Sequence, residues 1–282
     1  MNQILPHSAA PRFVSTPAGP LALLDTGPTP GSGQPPVLFV PGYTGSKEDF
    51  VPLLDPLADE GYRVVAVDQR GQYESPGVDD PEAYTVPVLA RDVLAVIDDI
   101  GGPVHLVGHS FGGLVTRAAV IERRTAVVSL VLLDSGPGAI GGSRRDRINL
   151  LEPVLAHGGM AAVLAAMEQL AAGDPVWLAH PPELKQFLRQ RFLASSEVGL
   201  KGMGYALRDE PDRVEELRAT GVPLLVAYGE ADDAWSPATQ AAMADRLGAQ
   251  QAVIPDAMHS PAVENPDELL RVLTSFWKTA GH

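Results

Sequence analysis

The chain of 282 residues contains no cysteine, so disulfides, thiolate metal sites and cysteine nucleophiles are excluded. Bases are in deficit: 21 Lys and Arg stand against 35 Asp and Glu, a formal charge of −14. Such a surface repels phosphate backbones and anionic bilayers, so neither nucleic acid nor membrane is expected as a partner. No run of about 18 apolar residues is present, and no bilayer span is expected. The opening MNQILPHSAAP lacks a basic start and an apolar stretch, so no signal peptide is expected and the default location is the cytoplasm. Cofactor signatures are missing as well. Gly45-Ser46-Lys47 is only a fragment of a phosphate-binding loop, and no G-x-G-x-x-G opens a helix after a strand. With no H-E-x-x-H and no spaced His cluster, no metal and no cofactor are expected.

What is present is a sizeable apolar fraction, 45%. At this length about three quarters of the unfolded surface can be buried, in one domain or one domain with an insert. Residues 12–16 and 21–25 read as short strands. Val37–Val40, Arg63–Asp68, Val104–Val107 and Val127–Leu133 are continuous apolar runs of the kind buried on both faces of a sheet. Helical patterns fall between them, at 47–60, 85–100 and 111–124. This alternation predicts an α/β fold with a mostly parallel, doubly wound sheet. It lapses from 137 to 205, where segments 144–156, 160–170 and 183–194 carry helical periodicity, and resumes with a strand at 223–228, a helix at 237–247, a strand at 251–254 and a helix at 266–279. The expected organisation is a core of 1–136 and 206–282, interrupted by a helical cap at 137–205. A long insert can be structural elaboration or a lid over a site, and the lid is the favoured reading.

Gly108-His109-Ser110-Phe111-Gly112 is the one G-x-S-x-G in the chain, at the junction of a strand and a helix. A nucleophile elbow needs that junction, because a sharp turn lifts the hydroxyl above the sheet. A serine hydroxyl also needs a base. Among seven His, His7 and His282 are terminal, and His109 is fixed beside Ser110. His105 lies in a buried strand, while His157 and His180 lie in the insert. His259, in the loop after the strand 251–254, is the candidate. The acid is sought in Gly229-Glu230-Ala231-Asp232-Asp233, with Asp232 first, Asp233 second and Asp134 third. The N–H groups of Phe111 and of Tyr43, in the loop after Val37–Val40, are the expected oxyanion donors.

Together these residues resemble the capped α/β-hydrolase family, in its esterase, lactonase and perhydrolase group, over nearly the whole chain. Phe39-Val40-Pro41-Gly42 is similar to the family's oxyanion-loop motif, with Pro41 where His is common. Asp68-Gln69-Arg70-Gly71-Gln72 is similar to its D-x-R-G-H loop, with Gln72 replacing His. Gly229-Glu230-Ala231-Asp232 and His259-Ser260-Pro261 are similar to its acid and base loops. An acid at position 110 would suggest an epoxide hydrolase or a dehalogenase, whereas Ser110 implies acyl transfer. The expected activity is hydrolysis of carboxylic esters, thioesters or lactones with a small to medium apolar acyl or aryl group, without a cofactor. The rivals are carbon–carbon bond hydrolysis or perhydrolysis by the same residues, and a non-catalytic ligand-binding protein. Met160, Trp177 and Tyr205 are candidates to line an apolar acyl or aryl pocket. Arg144, Arg145 and Arg147 read first as a solvated face and second as a grip on a substrate carboxylate.

Overall fold

Runs of β-branched and apolar residues form the centre of an eight-stranded sheet in the computed structural model, which describes residues 3–280. The strands are β1 (Ala10–Thr16), β2 (Gly19–Asp25), β3 (Val37–Val40), β4 (Val64–Val67), β5 (Val104–His109), β6 (Val127–Leu133), β7 (Leu224–Gly229) and β8 (Gln250–Ile254), in the order β1-β2-β4-β3-β5-β6-β7-β8. The β1–β2 hairpin pairs antiparallel with the edge of β4, and all later pairings are parallel. Every residue of β3 and β4 is buried, as expected of parallel strands covered on both faces.

On one face lie α2 (Val86–Ile100) and α3 (Phe111–Glu122), and on the other α1 (Val51–Asp59). In α2, Val86, Leu89, Val93, Val96, Ile97 and Ile100 recur at helical spacing and form the buried stripe. Pro87 sits in its first turn, and Gly101 closes it at φ 94°, a left-handed cap that suits glycine. After β6 come four consecutive helices: α4 (Gly142–Ala171), α5 (Pro175–Ala179), α6 (Pro182–Ala194) and α7 (Glu197–Asp209). The chain returns through α8 (Val214–Ala219), α9 (Pro237–Leu247), α10 (Pro261–Glu264) and α11 (Pro266–Ala280). Here α8 and α9 join the α2–α3 face, and α11 joins α1.

The helical segment runs on past 205, because α7 ends only at Asp209. Its sequence disguises it, since Gly199, Gly202 and Gly204 lower helix propensity. All three are needed for close packing. A Cβ at Gly202 would lie 2.8 Å from Pro81 O and from Tyr84 Cβ, and one at Gly204 would lie 2.9 Å from the Tyr43 hydroxyl. Helix α4 is long enough, and over an 18-residue window of mean hydropathy 1.5 apolar enough, to pass for a membrane span by length and composition. Gly159, at φ 65° and ψ −167°, breaks it into 142–158 and 160–171, each short of the roughly 20 residues a bilayer requires. Leu155, Val163, Phe192 and Leu200 make a small core within these helices, separate from the two sheet-face cores.

His105 is a core group. It is 1% exposed, stacks on Trp277 at 5.1 Å and shares a 2.8 Å hydrogen bond through Nδ1 with Ser129. Burial lowers its pKa to about 4. The unfolded chain therefore takes up this proton near pH 6.5 and the folded chain does not, so the contribution is complete above pH 6.5 and is lost as pH falls toward 4. An NMR titration should show the His105 ring neutral at pH 5.5, with a midpoint near 4. A midpoint between 6 and 7 would contradict this burial.

Candidate active site

Parallel pairing brings five loops to one edge. Val40 pairs with Gly108, His109 with Leu133, Leu133 with Ala227 and Gly229 with Ile254, so β3, β5, β6, β7 and β8 end side by side. The chain passes from β4, on one side of β3, to β5, on the other. Such a reversal opens a crevice at the carboxyl ends of the strands.

Ser110 occupies the turn from β5 into α3 at φ 54° and ψ −120°. A side-chain-bearing residue there is strained, and neighbours hold it. Its N–H donates to Leu133 O at 2.8 Å, and its carbonyl accepts from Gly113 N–H at 2.9 Å and Ser135 Oγ–H at 2.8 Å. Glycine is required on both sides. A Cβ at Gly112 would collide with the carbonyls of Val40 and Pro41, and one at Gly108 with Gly112 O and Gly113 Cα.

His259 reaches both partners expected of it. Its Nδ1 lies 2.8 Å from Asp232 Oδ1, and its Nε2 lies 3.0 Å from Ser110 Oγ. Since the carboxylate can only accept, Nδ1 carries the proton and Nε2 is free to accept from the hydroxyl. Asp232 also accepts from Ala234 N–H at 2.8 Å and from Gln240 Nε2–H at 2.7 Å, and its side chain is fully buried. Its neighbour Asp233 points out and pairs with Arg144 at 2.6 Å. Partial burial raises the Asp233 pKa, but Arg144 more than offsets this and holds the carboxyl below its ordinary range.

Two further residues brace this arrangement. His109 donates Nε2–H to the carbonyl of His259 at 2.7 Å and so anchors the base loop. Burial, followed by the neighbouring His259, lowers its pKa to about 4, which keeps the ring neutral. Asp134, left-handed at φ 46°, accepts from Gly229 N–H through Oδ1 at 2.9 Å. One of its oxygens, one of Asp232 and a ring nitrogen of His259 lie within 4.8 Å of one another. That donor set resembles a metal cluster, but both nitrogens of His259 are already engaged. Burial, then the charge of Asp232, pushes Asp134 well above the usual carboxylate range, so its neutral form is favoured.

The loop after β3 approaches the elbow, and a Cβ at Gly42 would lie 3.1 Å from Ser110 Cβ. Neither the Tyr43 nor the Phe111 amide is spent on another backbone acceptor among the described residues. The loop's carbonyls are held from behind. Gln69 Nε2 donates to Pro41 O at 2.8 Å, and Gln72 Nε2 donates to Gly42 O at 2.7 Å and Tyr43 O at 3.1 Å. The tyrosine hydroxyl ties the same loop to α7 by donating to Leu200 O at 2.8 Å.

Ser110, His259 and the Tyr43 loop line a cavity of about 300 Å³, whose remaining walls come largely from α4, α6 and α7. Tyr205 lines it, with Leu151, Leu155, Met167 and Phe192. Met160 and Trp177 do not. Met160 packs against the small core within the helices, and Trp177 meets His180 at 5.6 Å with Lys185 over its ring. Both are apolar positions satisfied by neighbouring helices. Of the arginine cluster, Arg144 and Arg147 line the cavity, while Arg145 donates to Arg208 O at 3.0 Å.

The raised pKa of Asp134 has a signed consequence. The unfolded chain ionises this group first, so its stability contribution declines as pH rises above the unfolded value of about 3.9. Asp134→Asn, which mimics the neutral acid, should gain in melting temperature relative to the parent between pH 4 and pH 8. A relative loss over that range would show that Asp134 is ionised in the fold.

A model of the alpha/beta hydrolase family matches residues 37–272. A pimeloyl-[acyl-carrier protein] methyl ester esterase of Aeromonas hydrophila is 27% identical over 241 residues, 78% of this chain and 87% of that protein. A shorter stretch of 107 residues is 39% identical to part of a Variovorax paradoxus protein that bears a carbamate hydrolase name, 38% of this chain and 40% of that protein. Among solved structures, a thermophilic esterase from Thermogutta terrifontis superposes with a TM-score of 0.78 at 25% identity, covering 96% of this chain and 99% of its own. The strand order, the elbow and the matched 236 positions from 37 to 272 agree, and the chain belongs to the alpha/beta hydrolase family.

Proposed function

We propose that the protein is a serine hydrolase that cleaves carboxylic esters, thioesters or lactones through an acyl-enzyme on Ser110. The observation that carries this reading is the continuous relay Asp232–His259–Ser110, with spacings of 2.8 and 3.0 Å, beside two uncommitted amides. Ser110 Oγ bonds to the substrate carbonyl carbon as its proton passes to His259 Nε2. Asp232 stabilises the imidazolium that forms. The amides of Tyr43 and Phe111 take the charge that develops on the carbonyl oxygen, aided by the N-terminus of α3. As the tetrahedral adduct collapses, the bond to the leaving oxygen or sulfur breaks and His259 returns the proton to it. Water then adds to the acyl carbon, giving its proton to His259. The bond to Ser110 Oγ breaks, the acid leaves and Oγ regains its proton.

In this reading α4–α7 act as a lid that shapes the pocket, with 1–136 and 210–282 as the catalytic core. Relatives named as esterases support the substrate class.

Steady-state hydrolysis of 4-nitrophenyl acetate tests the assignment. Ser110→Ala should abolish turnover with the fold intact. Asp232→Asn should lower kcat on the order of a thousandfold, because the His259 tautomer is no longer fixed, while Asp233→Asn stays within about fivefold of the parent. The reverse ranking of the two acids, or turnover by Ser110→Ala, would overturn the assignment. Gln72→Ala releases the carbonyls behind the oxyanion loop and should lower kcat about tenfold with KM little changed, a fraction of the loss on deleting an oxyanion donor. An effect confined to KM would place Gln72 in substrate binding instead.

A further inference from the structure

The bases of this acidic chain are concentrated at one place. Five of its 21 Lys and Arg residues line the cavity over Ser110 (Arg144, Arg147, Arg191, Lys201 and Arg208), against two of its 35 acids, Asp49 and Glu152. Three of the five are matched. Arg191 pairs with Asp49 at 2.6 Å, Arg208 with Glu152 at 2.6 Å and Arg144 with Asp233 at 2.6 Å. Arg147 and Lys201 have no carboxylate within ion-pair distance among the described residues. Lys201 stands over the Tyr205 ring at 5.8 Å and meets Glu152 only through the longer-range field.

Their placement follows from helix geometry. On α4, Arg147 continues the cavity-lining stripe of Ile148, Leu151 and Leu155, and on α7 Lys201 lies beside Leu200 and Gly204. Both cations are solvent-exposed, whereas Ser110, in the same lining, is 5% exposed. The lining thus joins two unmatched cations, an apolar wall and the serine hydroxyl. Elsewhere the field of a chain at −14 repels anions, so this cavity is where an anionic ligand is drawn in. A guanidinium pairs with both oxygens of a carboxylate at once, and an ammonium adds a point charge.

We propose that Arg147 and Lys201 bind the free carboxylate of a substrate whose reacting carbonyl lies at Ser110, so that the preferred substrates are monoesters of aliphatic dicarboxylic acids, or lactones bearing an acid, rather than neutral esters. The inference rests on the serine-hydrolase reading for its reacting end. The carboxylate end stands on the cavity's charges alone. Ile148, Leu151 and Leu155 then take the methylene spacer, and three ion pairs hold the flanking cations in place.

The test compares monoethyl adipate with ethyl hexanoate, which share a six-carbon acyl chain, by acid release at low ionic strength. The parent should favour monoethyl adipate about tenfold in kcat/KM, the order expected of two part-exposed charge contacts. The preference should shrink at about 0.5 M NaCl, where exposed charges are screened. In the double variant Arg147→Gln/Lys201→Gln the ratio should fall to about one. Turnover of ethyl hexanoate with no preference for the monoester, or a preference that survives in the double variant, overturns the proposal and leaves the serine reading standing. Calorimetry with adipate separates the two ideas. Binding to the parent but not to the double variant, with no turnover of either ester, would support the carboxylate site and overturn the role of Ser110. No adipate binding to the parent would overturn the carboxylate site.

Discussion

The backbone at Ser110 is held in a conformation that costs a residue with a side chain on the order of 1–3 kcal/mol. That cost is offset by its surroundings. Hydrogen bonds from β6 and from Ser135 fix the turn, and Gly108 and Gly112 let two backbones close around it. The turn sets the hydroxyl 3.0 Å from His259 Nε2 and leaves the Phe111 amide without a backbone acceptor among the described residues. It also dictates the neighbours. The loop after β3 passes so close to Ser110 that a Cβ at position 42 would lie 3.1 Å from its Cβ, which favours glycine there, and its carbonyls must find donors elsewhere. Gln69 and Gln72 are those donors.

Around this turn the structure sorts its ionisable groups by environment. Two carboxyl groups stand side by side below His259, and two histidines stand beside Ser110. Like charges so close in a buried site cannot all be ionised. Asp232 gathers three donors, and its neighbour Asp134 is pushed toward the neutral acid. His259 faces the crevice, while His109 is buried, neutral and bound to the base loop's backbone. One member of each pair, Asp232 and His259, joins the chain of hydrogen bonds to Ser110, and the other supports it from behind.

The arrangement of the candidate site was legible in the sequence where it resides in local pattern. The core strands are continuous apolar runs, the elbow is a five-residue motif, and His259 survives elimination among seven. The choice between Asp232 and Asp233 was narrower, because adjacent residues share every sequence property. The turn decides it by aiming Asp232 at Gln240 and Asp233 at Arg144. The pocket was least legible. Met160 and Trp177 have the right chemistry on the wrong face: Met160 packs on the helices' own small core, and Trp177 packs against His180 and Lys185. Helix α7 was hidden by glycines that serve Tyr84 and Tyr43, residues far away in sequence. The supporting roles of Gln72 and His109 are relations between loops and have no local signature. The arginine cluster was visible, but only the fold shows that Arg144 is matched and Arg147 is not.

The central claim is that Ser110 is an activated nucleophile at the floor of a cavity roofed by α4, α6 and α7. Intact mass after exposure to a fluorophosphonate tests it most directly, because the reagent requires both the relay and the oxyanion amides and is indifferent to the acyl group of the natural substrate. The account predicts one adduct on the parent and none on Ser110→Ala. An unmodified parent, or an adduct that persists in the variant, would contradict it.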